Sequence, residues 1–153
     1  MIPFVSFRYK KEQISQEIIN SVEEIIQSEQ YVLGENTSKF EKNYANLINS
    51  NHCVGVGSGL DALIIALKSL GVKNGDEVIV PSNTYIATWL AISSVGAKII
   101  PVEPDIRTYN INPDLIESKI TSKTRAIMPV HLYGQSCDMT RIMEIAKKNN
   151  LYV

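Results

Sequence analysis

Short apolar segments of strand length alternate with amphipathic segments of helix length along most of this chain, beginning at Cys53. Parallel strands cannot be joined by a tight turn, and a helix in each crossover covers one face of the sheet. The alternation therefore predicts an α/β fold, in which a mostly parallel sheet is sandwiched by helices. Strands are predicted at residues 53–56, 77–80, 98–102 and 124–130 and from 151 onward, and helices at residues 61–70, 85–94 and 138–149, with a short helix from Asn112 and Pro113.

Residues 1–50 follow a different pattern, with apolar side chains at helical spacing only. A helix is predicted from Lys11 to Ser28 and a second one from about Ser38, after a short connection at residues 31–34. We interpret residues 1–50 as an N-terminal helical segment and residues 51–153 as the first part of the α/β domain. Because the last predicted strand only begins at Leu151, we expect the sheet to be incomplete.

Composition and charge exclude several classes of protein. The formal net charge of −1, without any lysine- or arginine-rich block, argues against nucleic-acid binding. The longest apolar stretches are of strand length or interrupted by polar residues, so no membrane span is predicted. The N-terminus lacks the layout of a secretory signal, and Cys53 and Cys137 are too few for a disulfide scaffold. We expect a cytoplasmic protein without a metal site, since His52 and His131 are far apart and no cysteine–histidine cluster has ligand spacing.

A glycine-rich turn, Gly55-Val56-Gly57-Ser58-Gly59-Leu60-Asp61, joins the first predicted strand to the helix after it. Small residues let a backbone approach an anion closely, and the first amides of a helix point outward at the positive end of its dipole. Ser58 can add a hydroxyl donor or cap the helix. The turn is a candidate anion site, and a tight turn that needs glycine only for its backbone conformation is the alternative.

A dinucleotide-binding fold is the main rival interpretation of this turn. When its glycine fingerprint is read from Gly57, the looser form that ends in alanine is met by Ala62. The acid that binds the ribose should follow the second strand, whereas Asp76 and Glu77 precede that strand. These acids are therefore expected at the opposite edge of the sheet, which disfavours the dinucleotide interpretation.

Two further segments follow predicted strands and should reach the same carboxyl edge as the glycine turn. Tyr85, in residues 81–88, can stack its ring on a flat heteroaromatic ligand, or it can pack in the core at an ordinary helix start. His131, in residues 129–135, would lie beside the same crevice, or it can serve a structural role. Considered singly, neither residue decides between its two interpretations.

Considered together, these segments resemble the DegT/DnrJ/EryC1/StrS sugar aminotransferases, in family order and along essentially the whole chain. The resemblance includes the leading helix and the connection Tyr31-Val32-Leu33-Gly34. The other matching segments are Gly57-Ser58-Gly59-Leu60-Asp61-Ala62-Leu63, Gly75-Asp76-Glu77-Val78-Ile79-Val80-Pro81, Asn83-Thr84-Tyr85-Ile86-Ala87-Thr88, Val95-Gly96-Ala97, Val102-Glu103-Pro104-Asp105 and Pro129-Val130-His131-Leu132-Tyr133-Gly134-Gln135.

The resemblance implies the large domain of a fold-type-I pyridoxal-phosphate enzyme, usually a homodimer, that moves an amino group from glutamate to a keto group of a nucleotide-linked sugar. The form Gly59-Leu60-Asp61 looks most like enzymes that act on dTDP-linked 3-keto-6-deoxyhexoses. The resemblance implies that the amides of Leu60 and Asp61, in the turn begun by Ser58 and Gly59, hold the cofactor phosphate. It implies further that Tyr85 stacks on the pyridine ring and that Tyr31, His131 and Tyr133 contact substrate.

The family's catalytic lysine, which forms the Schiff base with the cofactor, matches no residue of this chain and is expected beyond Val153. Lys68, Lys73 and Lys98 lie in predicted helix faces or at strand starts, away from the carboxyl edge. We therefore expect the chain to be an N-terminal portion that is inactive by itself. The alternative is a truncated or degenerate relative that binds a phosphate ligand or a partner chain without chemistry.

Overall fold

The computed structural model describes residues 2–153, and the chain forms two compact units that divide after Gly55. The first unit contains helix α1 (Arg8–Ser28) and helix α2 (Glu35–Leu47). Both helices were predicted, and each begins three residues earlier than its spacing indicated, since the apolar pattern does not extend into the polar first turns. The domain boundary predicted between residues 50 and 51 stays a prediction.

The strand predicted at residues 53–56 is wrong. These residues form no ladder with any described strand, and Val54 is largely exposed. The amide of Gly55 donates instead to Glu41 Oε1, at 2.7 Å. A strand exists only when a neighbour pairs with it, and an apolar segment alone does not supply that neighbour.

The second unit contains a parallel sheet of β1 (Glu77–Pro81), β2 (Lys98–Val102) and β3 (Thr124–Ile127), in the order β2-β1-β3. Strand β3 is shorter than predicted. The Met128 amide still donates to the Ile79 carbonyl at 2.8 Å, but Pro81 of β1 has no N–H to donate to the Met128 carbonyl in return. The fifth predicted strand is reduced to one parallel bridge between Tyr152 and Ala126.

Four helices accompany this sheet: α3 (Gly59–Ser69), α4 (Ile86–Ser94), α5 (Pro113–Ile116) and α6 (Met139–Lys148). Asn112 caps α5 through its side chain, as predicted. Gly71 and Gly96, just past the ends of α3 and α4, both have a φ of 75°. This left-handed conformation is the one that favours glycine after a helix.

The core lies on both faces of the sheet. Val78 and Val80 of β1 pack with Leu67 of α3 and Ile92 of α4, while Ile79 between them belongs to a second cluster. That second cluster includes Ile116 of α5 and Ile142 and Ala146 of α6. Side chains of a strand alternate between the two faces of the sheet. The predicted α/β fold, with helices on both sides of a parallel sheet, is confirmed.

Buried acids occupy the amino edge of the sheet. Asp76 accepts from Arg125 Nε at 3.2 Å, and Glu77 accepts from the Thr121 hydroxyl at 2.5 Å. Both carboxylates thus have partners at the edge opposite to the loops that follow the strands, as the sequence predicted. Within residues 2–153, no helix combines the length and apolar character that a membrane crossing requires.

Candidate functional site

Ser58 and Asp61 close the glycine turn at the start of α3. Ser58, in an extended backbone conformation, accepts from the Asp61 amide at 3.2 Å and donates its hydroxyl to Asp61 Oδ2 at 2.7 Å. A side chain at Gly57 would bring its Cβ within 3.2 Å of the same Asp61 oxygen. The sequence Gly-Ser-x-x-Asp therefore folds into a capped helix start, because the small residue leaves room for the carboxylate.

The amides of Gly59 and Leu60 remain available at this helix start. Within residues 2–153, neither amide donates a hydrogen bond to another group. A Cβ at Gly59 would meet no atom within 4 Å, so the space beside this amide is open. The amide of Asp61, predicted as a phosphate donor, already donates to Ser58, so it becomes available only when the Ser58 hydroxyl turns away.

A cleft of about 750 Å³ lies between the starts of α3 and α4. Its volume is within the range of small-molecule sites, and most of its lining is apolar. The structure brings Ser58, Gly59 and Leu60 together with Tyr85 here, and Asp61 does not line the cleft. The remaining lining residues are Leu63, Ile86, Ala87, Thr88 and Leu90.

Tyr85 immediately precedes α4, and its side chain is 76% exposed. The interpretation that Tyr85 packs in the core is therefore wrong. The helix start behind it is braced by a 2.9 Å hydrogen bond between the hydroxyls of Thr84 and Thr88, and Thr88 is buried. The tyrosine ring is thus free to present a face to a flat ligand in the cleft.

His131 and Tyr133 lie in the loop after β3 and do not line this cleft. The ring of His131 accepts at Nδ1 from the Cys137 amide, at 3.1 Å. Tyr133 is 87% exposed and has a φ of 56°. Their predicted contacts with substrate stay predictions.

Tyr31 belongs to the first unit, where it is exposed and lines a cleft of about 210 Å³ with residues of α1 and α2. Its hydroxyl donates to the Ile26 carbonyl at 3.4 Å. The described contacts of Tyr31 are with residues close to it in sequence, and its predicted contact with substrate stays a prediction.

Two asparagines at the carboxyl edge were missed by the sequence analysis. Asn110 is 2% exposed; its Nδ2 donates to the Gln135 carbonyl at 2.9 Å, and its Oδ1 accepts from the Leu132 amide at 3.0 Å. Asn83 Nδ2 donates to the Tyr109 carbonyl at 3.0 Å. No local pattern indicates these contacts, because each partner is more than twenty residues away in sequence.

Lys68, Lys73 and Lys98, which the sequence predicted to lie away from the carboxyl edge, lie outside the cleft. Lys98 Nζ is 3.8 Å from Glu77 Oε1, at the amino edge of the sheet. The backbone amide of Lys73 donates to Asp76, and Lys68 lies in the last turn of α3. None of the three lines the cleft. Within residues 2–153, no group of histidine, cysteine and acidic side chains has the arrangement of a metal site.

Residues 12–153 match the DegT/DnrJ/EryC1/StrS aminotransferase family. The chain belongs to this family. A family relative, the dTDP-3-amino-3,6-dideoxy-alpha-D-galactopyranose transaminase of Aneurinibacillus thermoaerophilus, is 52% identical over 153 residues, which are 100% of this chain and 42% of that relative. Among solved structures of the family, DesV of Streptomyces venezuelae in complex with a ketimine intermediate has a TM-score of 0.94 and 43% identity. The match covers 98% of this chain and 40% of DesV.

A third similar protein, NtdA from Bacillus subtilis, was solved with the bound cofactor PMP. It has a TM-score of 0.91 and 34% identity, over 98% of this chain and 35% of NtdA. The chain thus spans about two fifths of the length of the family members that it matches, 42% of the first relative and 40% of DesV.

Proposed function

We propose that the protein carrying this chain is a pyridoxal-phosphate-dependent sugar aminotransferase, and that this chain supplies the phosphate end of the cofactor site. The observation that carries the proposal is the cleft that joins the free amides of Gly59 and Leu60 to the exposed ring of Tyr85. Family membership and a relative with bound PMP support the cofactor.

The residues present fit a phosphate group. Two unpaired amides point from the first turn of α3, where the helix dipole also favours negative charge. Gly59 leaves open space for a phosphate oxygen, and the Ser58 hydroxyl is a further donor when it leaves Asp61. Hydrogen bonds from amides to an ionised oxygen are among the stronger ones in proteins. Backbone donors of this kind are fixed in place before the ligand arrives.

Tyr85 orients the cofactor in this proposal. The phosphate turn fixes one end of the ring system, and a stacked tyrosine fixes its plane. The bound cofactor supplies the electron sink for moving an amino group. His131 and Tyr133, on the loop after β3, then offer hydrogen-bonding groups to a sugar at the same sheet edge.

The proposed acceptor is a keto group on a dTDP-linked deoxyhexose, and the proposed donor is glutamate. The name of the relative that is 52% identical, a dTDP-amino-dideoxygalactose transaminase, supports the sugar class. The glutamate donor and the homodimer depend on the family resemblance alone, and the cytoplasmic location depends on the sequence pattern alone. All three stay predictions. The activity belongs to the whole protein, of which this chain provides one part of the site.

The test is an amino-transfer assay with the whole protein, pyridoxal phosphate, glutamate and a dTDP-linked 3-keto-6-deoxyhexose. Mass spectrometry should detect the dTDP-linked amino sugar, and omission of either the glutamate or the cofactor should abolish the product. Cofactor binding without product from dTDP-, UDP- or GDP-linked keto sugars would contradict the proposal. That result would favour the alternative, a non-catalytic relative that binds a phosphate ligand or a partner chain.

A further inference from the structure

Side-chain amides connect the loops that follow the three strands. Asn83, after β1, donates to the carbonyl of Tyr109 in the loop after β2, at 3.0 Å. Asn110, the next residue of that second loop, bonds to Leu132 and Gln135 in the loop after β3. The loop that bears Tyr85 and the loop that bears His131 are therefore joined through the loop between them.

Asn110 is the central residue of this connection. Its side chain uses both of its ends, since Nδ2 donates to the Gln135 carbonyl at 2.9 Å and Oδ1 accepts from the Leu132 amide at 3.0 Å. The two contacts hold the beginning and the end of one turn, in which Tyr133 has a left-handed backbone. Asn110 is 2% exposed, and an alanine here would remove both contacts, which leaves the Leu132 amide with the Val130 carbonyl, at 3.0 Å, as its acceptor.

The same turn fixes the ring of His131. The amide of Cys137 donates to His131 Nδ1 at 3.1 Å, and the Cys137 thiol donates to the Val130 carbonyl at 3.1 Å. Because Nδ1 accepts a hydrogen bond, a neutral His131 ring carries its proton on Nε2. The exposed histidine therefore presents a hydrogen-bond donor through Nε2, as long as the loop from Val130 to Cys137 keeps its position.

We propose that Asn110 is a positioning residue of the sugar-binding edge, which holds the Leu132–Gln135 turn so that His131 offers its Nε2–H, and Tyr133 its ring, to the sugar substrate. The inference rests on the proposed function, since it assigns the sugar to this edge. Asn110 acts through the turn and touches no substrate. A residue that only stabilised the fold would affect the sugar and cofactor sites alike, whereas Asn110 affects the loop after β3 alone.

The test compares Asn110→Ala with Asn112→Ala in the whole protein. Asn112 is the matched control, because its side chain caps α5 through the Asp114 amide and does not contact the turn. In Asn110→Ala we expect the KM for the sugar nucleotide to rise roughly tenfold, the effect of losing about one net hydrogen bond. The Kd for pyridoxamine phosphate should stay unchanged, because the phosphate turn lies at the start of α3. Asn112→Ala should leave both constants unchanged.

The ¹⁵N NMR signals of selectively labelled histidine give a readout that does not depend on activity. The wild-type His131 ring should show an unprotonated Nδ1 and a protonated Nε2, and Asn110→Ala should show a mixture of tautomers. An unchanged His131 signal, or an equal rise in KM and in the Kd for pyridoxamine phosphate, would overturn the inference. If the wild type transfers no amino group, the proposed function fails, while the histidine signals still test Asn110.

If Asn110→Ala does not fold, hydrogen exchange in the wild type provides the decisive measurement. The Leu132 amide donates to Asn110 Oδ1 and to the Val130 carbonyl, both at 3.0 Å, whereas Tyr133 is exposed, so the amide of Leu132 should exchange much more slowly than that of Tyr133. Equal exchange rates at these two amides would show that the hydrogen bond from Leu132 to Asn110 is absent in solution, which would overturn the inference.

Discussion

At the residue scale, the Ser58 hydroxyl makes two hydrogen bonds with Asp61 at the same time. It caps α3 by accepting from the Asp61 amide, and it donates to the Asp61 carboxylate. The sequence could predict the cap, because serine before a helix with an acid three residues later is a local pattern. It could not predict that the same hydroxyl donates to the Asp61 carboxylate, because that contact depends on the side-chain conformations of both residues.

Ser58→Ala should destabilise the protein by about 0.5–2 kcal/mol, the usual cost of removing a helix cap. It should also weaken binding of pyridoxamine phosphate, since one donor to the phosphate is lost. Urea unfolding and ligand titration measure the two effects. Ser69→Ala is the control, because the Ser69 hydroxyl donates to the Ala66 carbonyl, at 2.8 Å, at the other end of the same helix. Equal effects of both variants on ligand affinity would contradict the assignment of Ser58.

A second prediction at this scale concerns Asp105 and Arg107. Hydrogen bonds from the Arg107 guanidinium and backbone amide lower the pKa of Asp105 to about 2. A carboxyl whose pKa is lower in the folded state contributes stability above its unfolded pKa of about 3.9, and that contribution disappears as the pH falls toward 2. Arg107→Ala should raise the pKa of Asp105, as followed by ¹³C NMR of the carboxyl carbon. Arg141→Ala, which removes the partner of Asp114, should leave the Asp105 titration unchanged.

At the element scale, the helices and strands that could be predicted were those marked by residues close in sequence. Strands β1 and β2 were predicted within one residue, since β-branched apolar residues bounded by turns mark them clearly. The apolar segment at residues 53–56 looks similar and forms no strand, because no described neighbour pairs with it. Helix ends marked by glycine or by a capping asparagine were predicted for the same local reason.

Gly71 and Gly96 provide a matched pair at this scale. Both have a φ of 75°, but a Cβ at Gly71 meets nothing within 4 Å, whereas one at Gly96 lies 3.3 Å from Asn74 Cα. Gly71→Ala should lower the free energy of unfolding by about 1–2 kcal/mol, because alanine is disfavoured in the left-handed backbone conformation. Gly96→Ala should lower the free energy of unfolding by about 1–3 kcal/mol more than Gly71→Ala does, because the Asn74 backbone must move. Urea unfolding measures both, and equal costs would show that Asn74 yields without strain.

At the scale of the whole molecule, the parallel sheet explains why residues distant in sequence share one edge. Tyr85 lies in the crossover from β1 to β2, whereas the Ser58–Leu60 turn begins α3, which follows no strand of the described sheet. The cleft between α3 and α4 brings the two together. The alternation of strands and helices was enough to predict that the loops after β1, β2 and β3 share one edge of the sheet. The asparagines that join the three loops could not be predicted, because their partners are set only when the loops meet.

The most direct test of the phosphate turn compares pyridoxamine phosphate with pyridoxamine as ligands of the whole protein. Neither forms a Schiff base with a lysine, so the difference in Kd measures the hold on the phosphate alone. Two charge-assisted hydrogen bonds of roughly 1.5 kcal/mol each predict that the phosphate form binds at least about 100-fold more tightly. Isothermal titration calorimetry measures both constants. Equal affinities for the two ligands would contradict the account, because the amides of Gly59 and Leu60 would then hold no phosphate.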